Sequence, residues 1–138
     1  MIDRARLKRF INEIIKNSNE LKQLVKENTL TPNSLALKAA KYLLIELAEA
    51  ISNVIQHILA KEKGIIVSGY IDTIVKAYEN NLISKELYNK LRPFFDFRNS
   101  LIHRYWQVDD ELLIKNIIKG KDDLEQFVRE IEGIINGS

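Results

Sequence analysis

Cysteine is absent from the 138-residue chain, so neither a disulfide framework nor a thiolate metal site can form. Proline occurs twice and glycine five times, and no low-complexity linker or internal repeat interrupts the sequence. The glycine-built catalytic signatures are missing: there is no Gly-rich phosphate loop and no Gly-x-Ser-x-Gly elbow. Histidine is present only as His57 and His103. Neither belongs to a His-Glu-x-x-His helix or a Glu-x-x-His pair, so no protein-bound catalytic metal and no cofactor are expected. Uninterrupted apolar runs such as Tyr42 to Ile45 are too short to span a bilayer. The start, Met1-Ile2-Asp3-Arg4-Ala5-Arg6, lacks the apolar core of a signal peptide. A cytoplasmic protein with no membrane partner is expected. The formal net charge of +2 does not by itself mark a nucleic-acid binder.

What the chain does contain is helix. Hydrophobic residues make up 46% and charged residues 29%, a mix suited to one globular domain spanning residues 1–138. Leu7, Phe10, Ile11, Ile14, Ile15, Leu21, Leu24 and Val25 recur at three- and four-residue steps, the mark of a helix with one buried stripe. Thr31-Pro32 is expected to open a second helix, with Thr31 as its cap and Pro32 in its first turn. Gly64 should end that helix, and residues 64–69 read as a loop. A short helix over Tyr70 to Glu79 follows, then an Asn80-Asn81 turn and a Ser84-capped helix reaching about His103. Pro93 lies inside that last segment and should kink or divide it. Asp109 reads as the cap of a final helical region, which Gly120 can break in two. With no strand-like alternation anywhere, the expected fold is all-α, an up-and-down bundle of about five or six helices.

Charge is unevenly spread. Residues 85–104 carry Lys85, Lys90, Arg92, Arg98 and Arg104 against Glu86 and Asp96, whereas residues 105–138 are acidic. The asymmetry suits steering of a polyanion, and it equally suits two ordinary solvated helix faces.

One stretch gathers several reactive groups: Arg98-Asn99-Ser100-Leu101-Ile102-His103-Arg104-Tyr105. At about 100° per residue, Asn99 and His103 fall on nearly the same helix face, while Arg98 points about 140° from His103 and about 20° from Tyr105. Leu101 and Ile102 are expected to pin the segment to the core. Asn99 then stands where it can bond the imidazole and set its tautomer. Arg98 suits a phosphate oxygen or the charge developing on a phosphorane. The residues leave a plainer alternative open, in which Arg98 pairs with Asp96 or another carboxylate and His103 caps the helix. His57, between Ile55 and Ile58, has no catalytic companion and reads as a boundary residue with a structural part.

The eight-residue stretch resembles the Arg-x4-His-x-Tyr signature of HEPN-domain toxins, specifically the HepT-like family. The segments from Tyr42 to Ile58, the Gly64 to Tyr70 loop, Leu91 to Phe97 and Val108-Asp109 follow in that family's order. The resemblance implies a homodimeric helical bundle that acts as a metal-independent ribonuclease. Its members are typically toxins held in check by a MntA-like minimal nucleotidyltransferase antitoxin. Carried over by position, Arg98 and His103 are the catalytic pair, Asn99 supports them, and Tyr105 is the tyrosine that the partner adenylylates. Arg92 and Arg104 become candidate contacts to RNA phosphates. Related domains also serve as non-catalytic modules that dock a nucleotidyltransferase, and this alternative stands beside the nuclease reading.

Overall fold

Amphipathic segments separated by strong caps fold into helices that bury one stripe each, and the computed structural model shows six of them among the described residues, 2–103 and 108–137. They are α1 (Arg4–Lys26), α2 (Leu35–Lys63), α3 (Tyr70–Glu79), α4 (Lys85–His103), α5 (Asp110–Gly120) and α6 (Asp123–Asn136). No strand occurs among these residues. Helix α1 packs on α2 and α6, α2 on α3 and α4, and α4 on α3 and α6. The connections are short, so successive helices fold back as neighbours.

Helices α1, α2, α4 and α5 each begin where a side chain satisfies a first-turn amide, whereas α3 and α6 have no side-chain cap bond. Asp3 Oδ1 accepts from the Arg6 amide at 3.0 Å to open α1. Helix α2 departs from expectation: its cap is Ser34, whose Oγ accepts from the Leu37 amide at 3.0 Å. Thr31 and Pro32 instead form the turn before it, closed by the Ser34 amide on the Thr31 carbonyl at 3.1 Å. Asn33 sits in that turn at φ 61°, and a left-handed residue there ends any helix begun at Pro32. Gly64 ends α2 at φ 65°, with the Ile65 amide reaching back to the Leu59 carbonyl at 3.0 Å. Ser84 opens α4 through the Leu87 amide at 3.1 Å, and Asp109 opens α5 through the Leu112 amide at 3.2 Å.

Pro93 does not divide α4, which runs unbroken from Lys85 to His103. Pro93 and Asn89, whose carbonyl loses its amide partner, are both exposed, so water reaches the unbonded oxygen. Leu91 and Phe95 on the opposite side are 1% and 0% exposed and hold the helix to the core. Gly120 does close α5, and α6 starts again at Asp123.

The core is lined by Leu47, Ile51, Ile55, Ile58 and Leu59 of α2, with Leu7 and Ile14 of α1, Phe95 of α4 and Phe127 of α6 packed around them. An 18-residue stretch of the 29-residue α2 is long and apolar enough by length and composition to cross a membrane, although its strictly apolar runs are short. Of that stretch 67% is buried inside the bundle, which is the setting of a core helix.

Candidate functional site

The last turns of α4 carry Arg98, Asn99 and His103. Leu101, 2% exposed, anchors this end of the helix in the core. Ile102 does not share that role: it is 46% exposed, because a step of about 100° turns it away from the buried stripe. Arg98 and Asn99 are half-buried, and His103 is exposed on the final residue of the helix. Arg104, Tyr105 and Trp106 lie outside the described residues, as does Gln107.

Arg98 is held in a specific way. Its Cζ stands 3.5 Å from the centroid of the Tyr70 ring. Its Nη1 donates to Asn99 Oδ1 at 3.2 Å. Its Nε is buried with no hydrogen-bond partner among the described residues. The Arg98–Asp96 pair that the sequence left open as an alternative is not formed. Asp96 lies instead against Arg92 Nε at 3.6 Å, one helical turn away. Arg92 Nη1 also donates to the Tyr88 hydroxyl at 2.9 Å, and that bond, with the nearby Asp96 charge, raises its pKa further. Lys90 is likewise engaged, with Glu86 at 3.1 Å and Gln126 at 3.0 Å. Much of the positive charge counted along this segment is therefore taken up locally. Among the described residues, Arg98 pairs with no carboxylate. Asn99 spends its oxygen on Arg98, and no bond joins it to His103 among those residues.

His57 stands apart from this cluster. Its Nε2 accepts the Asp3 backbone amide at 2.9 Å, which ties the start of α1 to α2. Burial, followed by the charges of Arg6 and Lys61, lowers its pKa and keeps it a neutral acceptor.

An apolar cleft of about 250 Å³ opens between α4 and α5, lined by Pro93, Phe94, Phe97, Leu113 and Ile117 among others. Neither Arg98 nor His103 lines it, so the candidate chemistry sits on a helix end rather than in that cleft. No group of three or more metal-ligating side chains occurs among the described residues. Tyr70 is the residue that sequence reasoning missed. It was legible as the start of α3, but nothing in the one-dimensional pattern ties it to an arginine 28 positions later.

A family model described as ribonuclease HepT-like matches residues 11–131. A candidate RNase of Archaeoglobus fulgidus is 30% identical over 81 residues, 59% of this chain. The match spans 61% of that curated relative's length. Among solved structures, the HEPN toxin of Shewanella oneidensis, tri-AMPylated and in complex with MNT antitoxin, superposes with a TM-score of 0.82 at 20% identity. That match covers 92% of this chain and 96% of the toxin. YutE of Bacillus subtilis, a cytosolic protein, superposes with a TM-score of 0.80 at 14% identity, covering 99% of this chain and 92% of its own. At such identities the likeness is one of fold.

Proposed function

This chain belongs to the HepT-like ribonuclease family, and from that premise we propose that it is a toxin that cleaves RNA without a metal, using Arg98 and His103. The observation that carries the reading is the state of Arg98, a half-buried guanidinium on α4 with no carboxylate to neutralise it among the described residues.

In RNA the 2′-hydroxyl attacks the adjacent phosphorus and the 5′-oxygen leaves, giving a 2′,3′-cyclic phosphate and a 5′-hydroxyl end. The enzyme must accept one proton, donate another and stabilise a dianionic phosphorane. His103 supplies a proton-transfer group, a contribution of about 10²–10⁴-fold. Arg98 stabilises the phosphorane charge. Five residues apart on one helix, the two side chains leave about 140° from each other, and the end of α4 in a single chain holds one imidazole for two proton transfers, His57 being tied to the Asp3 amide elsewhere. A homodimer with its two-fold axis beside residues 85–105 answers both demands, bringing His103 and Arg98 of the second copy to the same phosphate. Arg104 is proposed as a phosphate contact. Arg92, bound to Tyr88 and Asp96, would have to exchange those partners to serve in the same way.

Control is proposed to fall on Tyr105. A MntA-like nucleotidyltransferase antitoxin would direct the phenol oxygen onto the α-phosphorus of ATP, with pyrophosphate leaving. The AMP group then places a negative charge and a base at the mouth of the site. The AMPylated state of the Shewanella oneidensis toxin supports this reading. The chain is proposed to act in the cytoplasm.

The test is RNA cleavage in EDTA by the parent, Arg98→Ala and His103→Ala, with helicity and melting checked in each. Both variants are expected to lose cleavage. Activity abolished by EDTA, or retained in both variants, overturns the mechanism. A parent that binds the nucleotidyltransferase and leaves RNA intact is the non-catalytic docking module. Mass spectrometry after co-expression with the partner is expected to find AMP on Tyr105, and an unmodified Tyr105 refutes the control scheme alone.

A further inference from the structure

The geometry points to Tyr70 as the positioning residue of the site: its ring face fixes the plane of the Arg98 guanidinium while taking none of the N–H donors that a phosphate would use. This inference rests on the reading of Arg98 as a catalytic group. A guanidinium has two distinct surfaces. Its edge carries the N–H donors that fork onto a phosphate, and its face carries none. A carboxylate partner would occupy the edge and cancel the charge. An aromatic ring occupies the face and does neither. At 3.5 Å from the ring centroid to Cζ, the Tyr70 contact is of the second kind.

The ring is itself braced. Its centroid lies 6.5 Å from that of Phe95, which is fully buried on α4. Phe95 and Arg98 are three residues apart, hence neighbours on one helix face. The Tyr70 ring thus lies along α4, touching the core at one end and the guanidinium at the other. From its own side, Tyr70 is the first residue of α3 and follows Gly69 at φ 92° and ψ 177°, a backbone state nearly confined to glycine. The Thr73 hydroxyl locks that turn by donating to the Gly69 carbonyl at 2.7 Å. Asp72 Oδ2 adds a second lock, accepting the Ser68 amide at 2.9 Å. The loop between α2 and α3 therefore aims a rigid ring at one guanidinium. With Nε buried and unbonded, and Nη1 tied to Asn99, the ring and Asn99 together define the orientation of the group.

The experiment separates positioning from packing by altering the ring's charge distribution at constant shape. Position 70 is replaced by phenylalanine and by phenylalanines of increasing fluorination, which drain the negative ring face stepwise. RNA cleavage is measured as kcat and KM, with Arg98→Ala as control. Tyr70→Phe is expected to hold kcat within about twofold of the parent, because both rings attract a cation. Each added fluorine should lower kcat at unchanged KM. Tyr70→Leu should lose roughly 2- to 30-fold in kcat, the span of a lost cation–π contact. A second readout does not depend on activity or on any position-70 variant folding. In ¹⁵N-arginine-labelled parent, the Arg98 Nε–H resonance, assigned through Arg98→Lys, should be shifted upfield by the ring current. A kcat that stays flat across the fluorinated series while Arg98→Ala is inactive overturns the inference and leaves the nuclease reading standing. An unshifted Arg98 resonance overturns it as well. Arg98→Ala cleaving like the parent removes the catalytic reading, and this inference with it, even if the upfield shift is present.

Discussion

Replacing Asp110 by asparagine probes how the chain is held just beyond the candidate site. Asp110 is the first residue of α5, and its carboxylate accepts two bonds at once, from Lys41 Nζ at 3.0 Å and from the Asn33 amide at 3.0 Å. The pair is largely withdrawn from water, with 8% of the Lys41 side chain and 17% of the Asp110 side chain exposed. Asparagine keeps the size and one acceptor oxygen but removes the charge. A charge-assisted bond contributes about 1.5–3 kcal/mol, against about 0.5–1.5 kcal/mol for a neutral one. The negative charge in the first turn of a helix adds about 0.5 kcal/mol. With one bond weakened to a neutral one and the other lost, the loss comes to at least about 2–3 kcal/mol. At this chain length each kcal/mol lowers Tm by roughly 3–5 °C, so Asp110→Asn should melt roughly 10 °C below the parent at pH 7. The pH dependence follows from the Lys41 ammonium and, after it, the Asn33 amide, which hold the Asp110 carboxyl below its ordinary 3.8. Stability from such a group is complete above the unfolded-state value and is lost as pH falls through the lower folded value. Melting followed by far-UV circular dichroism should therefore show a constant gap from neutral pH down to about 5, closing below about 4. A gap under about 2 °C at pH 7, or one that persists undiminished at about pH 3, refutes the reasoning.

The two left-handed glycines should respond differently to alanine, although no atom lies within 4 Å of a side chain built at either. Gly64→Ala, at φ 65° and ψ 25°, should cost about 1 kcal/mol in guanidinium unfolding, whereas Gly69→Ala, at φ 92° and ψ 177°, should cost about 2–3 kcal/mol; equal costs would show that the turn before Tyr70 is not conformationally demanding. His57 should titrate by NMR with a midpoint below 6.5, because burial and the Arg6 and Lys61 charges disfavour its protonated form. Its bond to the Asp3 amide then stabilises the fold fully above 6.5 and is lost as pH drops through the lower folded midpoint, so exchange of that amide should quicken on acidification; a midpoint at or above 6.5 contradicts this.

Much of the helix pattern was legible because it is local. Gly64, Ser84 and Asp109 mark boundaries through bonds spanning at most six residues, Gly120 is the last residue of α5, and all four stand where their types suggested. The cap of α2 was misplaced because Thr31 and Ser34 are both good caps. The choice between them follows from Asn33, whose left-handed backbone also presents its amide to Asp110, 77 positions away. Pro93 was expected to kink or divide α4 on local grounds, and the helix runs on undivided because Leu91 and Phe95 hold it to the core.

The site divides along the same line. The sequence by itself determined which groups lie together on the end of α4, since the spacing of Arg98, Asn99 and His103 dictates their angles on any helix. It also carried the family, whose signature is a contiguous string of residue types. Only the tertiary structure decided what each group does with its bonding capacity: Asp96 goes to Arg92 rather than Arg98, Asn99 turns to Arg98, and Tyr70 stacks on the guanidinium. The first two choices are made along α4 itself, and the last between α3 and α4, by side chains that meet only after the core has set the distance between the helices. Periodicity reports the face a residue occupies, and it carries no information about which ring or carboxylate waits on the helix opposite.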